Sequence, residues 1–195
     1  DVRDAFVAPV GGTLSGLAPG TRVGTSSLRR KAQLLNKRPD LDVVEFRGNV
    51  QTRLKKLDDG VAACTFLAMA GLNRLGMSHV AASAIDPEEM LPAVAQGAIG
   101  IERRRDDDRA AEMLSAIHHG ATGHRLAAER AFLAALDGSC ETPIAGLAEQ
   151  DGDRLHLRGE ILRTDGSEAL AGNRSGPVSS GPGPAWGPWA PWAFW

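Results

Sequence analysis

The sequence predicts an α/β fold with a mainly parallel sheet, followed by a smaller α+β region. Strand-like and helix-like segments alternate between residues 21 and 76. Two further strand-like segments, 143–149 and 154–162, are joined by Asp151-Gly152, a hairpin signal. With 43% hydrophobic and 24% charged residues in a chain of 195, a core is supplied and wholesale disorder is not expected.

Residues 21–24 (Thr-Arg-Val-Gly) read as a strand end running into a turn. Thr25, Ser26 and Ser27 can cap a helix. Leu28, Ala32 and Leu35 then recur on one helical face until Pro39 ends it. Residues 42–46 form the next strand. Gly48 and Asn49 turn the chain, and Val50, Leu54 and Leu57 make a second helical face stopped by Gly60. Residues 61–69 read as a buried strand and 70–76 as a short helix. Such sheets bind ligands at the carboxyl ends of their strands.

Asp86-Pro87-Glu88-Glu89 has the form of a helix start, with Asp as cap and Pro at the first helical position. Residues 91–101 are apolar and broken by glycine, the pattern of a loop entering a strand. The charge run 102–109 suits a solvated junction and helix start. Thr122 to Leu136 reads as a helix with Leu126, Leu133 and Leu136 on one face. From about Ala171 the composition changes. Residues 171–195 hold five of the 11 prolines and all four tryptophans, with Arg174 as the only charge. Proline denies this stretch a helix, and it reads as a low-complexity tail.

Composition excludes several classes. No apolar run reaches the ~18–20 residues that span a bilayer, and no N-terminal stretch has the form of a signal peptide. Cys64 and Cys140 cannot build a disulfide framework or a cysteine zinc site, so a reducing cytosol is expected. The five histidines show no metal spacing. The chain begins at Asp1 without an initiator Met, which suggests a piece of something longer. The net charge of −2 is uneven: residues 1–80 carry 12 Lys and Arg against 7 Asp and Glu, and residues 81–195 carry 10 against 17. A basic first part suggests an anionic ligand, or simply two ordinary solvated surfaces.

Four segments hold residues able to do chemistry. Gly24-Thr25-Ser26-Ser27-Leu28-Arg29-Arg30 puts hydroxyls and free N–H groups at a helix N-terminus, with two arginines behind them. Helix dipole, amides and guanidinium forks all favour an oxyanion. Arg47 follows the second strand and Arg53 lies one turn into the next helix. Arg74 follows the third strand at what reads as an equivalent place. Ser139-Cys140 lies in a turn after a helix, where a thiol can be reactive, whereas Cys64 sits in an apolar strand and reads as core.

These segments together resemble the porphobilinogen deaminase (hydroxymethylbilane synthase) family. The matching pieces are Val23-Gly24-Thr25-Ser26-Ser27-Leu28-Arg29-Arg30, Arg47-Gly48-Asn49-Val50 with Thr52-Arg53-Leu54, and Ala70-Gly71-Leu72-Asn73-Arg74-Leu75-Gly76. Next come Leu91-Pro92-Ala93-Val94-Ala95-Gln96-Gly97-Ala98-Ile99-Gly100, Ala128-Glu129-Arg130, and Gly138-Ser139-Cys140 with Pro143-Ile144-Ala145-Gly146. The order and spacing run from residue 1 to about 170.

The resemblance implies a periplasmic-binding-protein-like α/β domain two over residues 3–91. It further implies a segment 92–117 returning to domain one, and a small α+β domain three over 118–170. Residues 171–195 depart from the family pattern. The implied activity is the deaminating condensation of four porphobilinogen units into hydroxymethylbilane. The growing chain is carried on a dipyrromethane cofactor held by thioether to Cys140. Because each pyrrole bears two carboxylates, Ser27, Arg29, Arg30, Arg47, Gly48 and Arg53 are implied to hold the cofactor, and Arg74 and Gln96 the substrate. No metal is implied. The family's main catalytic acid is expected upstream of Asp1. A soluble monomer of the cytoplasm or a plastid stroma, with no nucleic-acid or membrane partner, is the implied setting.

Two other readings remain open. One is a catalytically inactive anion-binding fragment. The other is nucleic-acid binding through the basic segment 22–56, although Phe46 is its only aromatic and acidic residues interleave it.

Overall fold

The structure is a computed structural model that describes residues 1–139 and 141–178. Strands β1 (Asp4–Val7), β2 (Arg22–Gly24), β3 (Asp42–Val44), β4 (Cys64–Ala68) and β5 (Ser83–Ala84) form one sheet in the order β3-β2-β4-β1-β5. β2 pairs in parallel with both β3 and β4. β1 runs antiparallel to β4 and β5. That reversal places Asp4 opposite Ala68, at the carboxyl end of β4.

Side chains alternate across the sheet. Phe6, Val23, Cys64 and Phe66 meet Leu34 of α1 (Leu28–Lys37) on one face. Ala5, Val7 and Leu67 meet Leu57 of α2 (Val50–Asp58) and Leu72 of α3 (Met69–Arg74) on the other. Both faces are therefore covered, as continuous apolar strands require. Burial stabilises each of the Val, Leu and Phe side chains by roughly 1.5–3 kcal/mol. Cys64 is part of this core, and burial pushes its thiol up to about 12.

The second region holds α4 (Asp108–Ser115), α5 (Gly120–Ala135) and an antiparallel sheet of β6 (Ile144–Asp151), β7 (Arg154–Leu162) and β8 (Ala169–Pro177). Asp151 pairs with Arg154, so Gly152 and Asp153 make the two-residue hairpin. Phe132 of α5 packs with Ala128, Ile144, Ala148, Leu155 and Leu157. This sheet rests on α1 through polar contacts. Gln33 Nε2 donates to Glu160 Oε2 at 2.7 Å, and Asn36 Nδ2 donates to the Gly166 carbonyl at 2.9 Å. Gly166 has φ +75°, and a Cβ there would meet the Ala32 carbonyl at 2.8 Å, so only glycine lets the turn approach α1.

Several expectations change. β1 comes from residues left unassigned by sequence. Asp86 starts no helix: the Glu89 and Met90 amides both turn back to its carbonyl, and the chain then becomes irregular. Pro92 disfavours helix at Leu91 and supplies no N–H of its own, so the turn cannot propagate. Residues 91–101 contain no strand. α5 begins at Gly120, two residues earlier than expected, with His119 Nδ1 accepting from the Thr122 amide. Its packed face centres on Ala128 and Phe132 rather than on Leu126. β8 continues through Pro177, so the compositional boundary at 171 falls inside a strand. The tryptophans of the tail, and Cys140, lie outside the described residues. No described helix is long and apolar enough to cross a membrane.

Candidate functional site

The carboxyl ends of β2 and β4 meet the N-terminus of α1, and the site forms there. The Thr25 amide donates to the Val44 carbonyl at 3.0 Å, which ties the loop after β2 to β3. Ser27 caps α1, its hydroxyl accepting from the Arg30 amide. The first amides of the helix have no carbonyl partner within it and carry its positive pole.

Arg29 and Arg30 follow, and both are buried, at 5% and 8% exposure. Their guanidiniums converge on Asp4, which is fully buried. Arg30 Nη2 and Nε donate to Asp4 Oδ1 at 2.7 and 3.2 Å, and Arg30 Nη1 donates to the Phe66 carbonyl at 3.1 Å. Arg29 Nη2 lies 2.8 Å from Asp4 Oδ2 as an ion pair. Arg29 Nη1 donates to Gln33 Oε1 and to the Leu91 carbonyl, while its Nε has no partner among the described residues. Burial alone would raise the Asp4 carboxyl, but the two guanidiniums outweigh it and hold the group below its ordinary value. Burial depresses Arg29, opposed by the charge of Asp4.

Gln96 closes this network. Its Nε2 donates to Asp4 Oδ1 at 2.9 Å and to the Val2 carbonyl at 2.7 Å, and its Oε1 accepts from Arg29 Nη2 at 3.3 Å.

A cavity of about 460 Å³ lies over the pair. One wall carries Ser26, Ser27, Arg29, Arg30 and Arg53; the facing wall carries Leu133, Ser139, Thr142 and Ile144. Arg53 Nη2 donates to Ser26 Oγ at 3.2 Å and its Nε to the Gly48 carbonyl at 2.8 Å. Partial burial and the nearby Arg30 charge lower its pKa. Gly48 has φ +133°, and a Cβ would press on Thr52 at 2.7 Å, so this glycine makes the turn that aims Arg53. The guanidiniums of Arg29, Arg30 and Arg53 outnumber the Asp4 carboxylate and leave the cavity cationic, and the hydroxyls of Ser139 and Thr142 line it. That set suits an anion with several carboxylates and some apolar surface.

The remaining arginines differ. Arg47 is exposed and pairs with Glu45. Arg74 is exposed at the last residue of α3, more than a turn beyond the end of β4, so its place is not equivalent to the other two junctions. Neither lines the cavity. Residues 4, 33 and 160 escaped sequence reasoning, and Glu129 was noted only as part of a matching segment, with no role. The run Ala5-Phe6-Val7-Ala8, bounded by Pro9 and Gly11-Gly12, was a readable strand signal and would have put Asp4 at its edge. Nothing local marks the partners of Gln33, Glu129 and Glu160.

Comparison with known proteins identifies the family. Residues 1–112 match the family model described as "Porphobilinogen deaminase, dipyromethane cofactor binding domain". Residues 124–179 match "Porphobilinogen deaminase, C-terminal domain". The porphobilinogen deaminase of Paracoccus denitrificans is 67% identical over 181 residues, covering 93% of this chain and 58% of that protein. Those of Nitrobacter hamburgensis and Nitrobacter winogradskyi are 53% and 52% identical over 176 residues, each covering 90% of this chain and 56% of its relative. The chain thus spans a little over half the length of these relatives. With two family models matched in order along nearly all of residues 1–179, the chain belongs to the porphobilinogen deaminase family.

Proposed function

We propose that this chain is the carboxylate-binding and cofactor-carrying part of a hydroxymethylbilane synthase. The observation that carries the reading is the cationic cavity at the N-terminus of α1, faced by the hydroxyls of Ser139 and Thr142. Its donor set fits a dipyrromethane. Arg29 keeps a buried Nε–H that has no partner among the described residues, Arg53 and Ser27 stand beside it, and Val94, Leu133 and Ile144 offer apolar contact to ring faces. When bound, such a group supplies the free pyrrole carbon onto which porphobilinogen units are added with loss of ammonia.

In this reading Cys140 holds the cofactor by thioether. Arg29, Arg30, Arg53 and Ser27 neutralise and orient its carboxylates, and Gly48 shapes the turn behind Arg53. Arg47, free of the cavity, takes carboxylates that extend past its mouth. Gln96 acts on substrate through Arg29. Arg74 is assigned to substrate by its motif alone. The acid that manages the pyrrole N–H belongs to the part of the relatives this chain does not span. The first region corresponds to a periplasmic-binding-protein-like domain two, and α5 with β6–β8 to domain three.

The test is intact mass and acid Ehrlich colour of the chain made in cells that produce porphobilinogen, beside Cys140→Ser. A dipyrrole mass on the wild type, absent from Cys140→Ser, is expected. So is porphobilinogen binding by calorimetry that weakens in Arg53→Ala. A folded chain that binds no porphobilinogen would end the reading. An unmodified Cys140 in a protein that releases ammonia from porphobilinogen would move the attachment elsewhere.

A further inference from the structure

Glu129 lies in the middle of α5 and is 5% exposed, yet none of the roles above uses it. Its two oxygens have different partners. Oε1 accepts from the Ala148 amide of β6 at 2.9 Å, and Oε2 accepts from the Ala95 amide of the 91–101 loop at 2.7 Å. One carboxylate therefore joins a helix, a strand and an irregular loop.

The loop needs such a tie. Ala95 has φ +63°, a left-handed conformation that crowds its Cβ and that an alanine adopts only when its surroundings impose it. The next residue is Gln96, whose side chain reaches Asp4, the Val2 carbonyl and Arg29. The two residues before Ala95, Ala93 and Val94, line the cationic cavity. A relaxed Ala95 would redirect Gln96 and shift that wall.

We propose that Glu129 is a positioning residue: it holds Ala95 in the left-handed turn that delivers Gln96 to Asp4 and Arg29. Domain three thereby sets the geometry of the arginine pair from the far side of α5. The effect on ligand affinity rests on the function proposed above; the clamp itself does not.

Glu129→Gln tests it because it keeps size and shape. The amide retains one acceptor oxygen but turns an NH2 toward the other backbone N–H. Amide hydrogen exchange and the Gln96 side-chain NH2 resonances read the clamp without ligand. Exchange at Ala95 should speed up roughly tenfold or more, the loss of about one charge-assisted hydrogen bond. The Gln96 resonances should move toward solvent values, with the Val23 and Phe66 amides unchanged. Adding Ala95→Gly, which tolerates positive φ without the clamp, should restore the Gln96 resonances. If Glu129→Gln does not fold, Glu129→Asp, one methylene too short to reach both amides, gives the same readout. Unchanged exchange and Gln96 resonances in the folded variant would overturn the proposal. Where wild type binds porphobilinogen, the dissociation constant should rise several-fold in Glu129→Gln and recover in the double variant. Altered Gln96 resonances with unchanged affinity would overturn the link from clamp to cavity. Failure of wild type to bind would count against the proposed function and leave the exchange result to decide the clamp.

Discussion

Asp4 and Glu129 are two buried carboxylates solved in different ways. Asp4 sits at the first residue of β1, between two guanidiniums, and their charges hold its pKa down in spite of burial. Glu129 sits where α5 meets β6 and is served by two backbone amides, with the charge of Arg125 as a smaller contribution; burial dominates there and pushes its pKa up. The same chemical group is thus a counter-ion in one place and a backbone clamp in the other. At Asp4 the full charges outweigh desolvation, whereas at Glu129 the two amides and the charge of Arg125 offset only part of it. The contrast also separates what each can do: Asp4 orients arginines that can meet an anion, and Glu129 orients main chain.

Removing the counter-ion should be the largest effect. Asp4→Asn leaves two guanidiniums buried against a neutral amide. Breaking a buried pair from one side costs about 3–5 kcal/mol. Urea unfolding should show a midpoint lowered accordingly, with little change in slope. The pH dependence follows in sign. A carboxyl held below its ordinary 3.8 contributes stability that is fully present above that value and is lost as pH falls through the lower folded one. Wild type should lose stability over that acid limb, and Asp4→Asn should lack that contribution. A midpoint within 1 kcal/mol of wild type, by the same conversion, would mean that the pair is not desolvated as the geometry indicates.

Next comes the fork itself. Arg30→Lys keeps the charge but cannot reproduce donations to both Asp4 and the Phe66 carbonyl. Hydrogen bonds to charged groups are worth about 1.5–3 kcal/mol, and the loss should lie in that range. Arg47→Lys is the control: its partner Glu45 is exposed, and such pairs contribute roughly 0–1 kcal/mol. Equal losses in the two variants would erase the distinction between buried and exposed arginines.

That distinction is where sequence reading stopped. The parallel strands and their helices were legible because apolar period, caps and glycine stops agree. The β6–β7 hairpin was legible from Asp151-Gly152. The arginines of the α1 terminus were legible as residue types, but their environment was not. It is fixed by Asp4, 25 residues before Arg29, on a strand that had no assigned place. Gln96 was placed by motif, and its contact with Asp4 comes from a loop turn at Ala95 that no propensity favours. Arg74 was misplaced because an arginine after a strand looks the same at the start of a helix as at its end. Long-range polar pairing and positive φ at a non-glycine residue leave no periodic trace.

The smallest effect, and the sharpest test of the comparison, is the stability of Glu129→Gln against pH. Two contributions oppose each other. The amide removes the cost of burying a charge, but it confronts one backbone N–H with an NH2, and an unsatisfied buried donor costs roughly 1–3 kcal/mol. The charge contribution has the opposite sign to that of Asp4. A carboxyl whose folded pKa is raised above its ordinary 4.5 contributes stability that is present below that value and is lost as pH rises through the folded one. Wild type should therefore lose part of its advantage over Glu129→Gln on going from pH 4 to pH 7, whereas its advantage over Asp4→Asn should grow across the acid limb. Urea midpoints for the three proteins at several pH values give both differences. If the Glu129→Gln difference also grew with pH, the amides would be compensating the charge as fully as the guanidiniums do at Asp4. The two carboxylates would then be equivalent sites rather than contrasting ones.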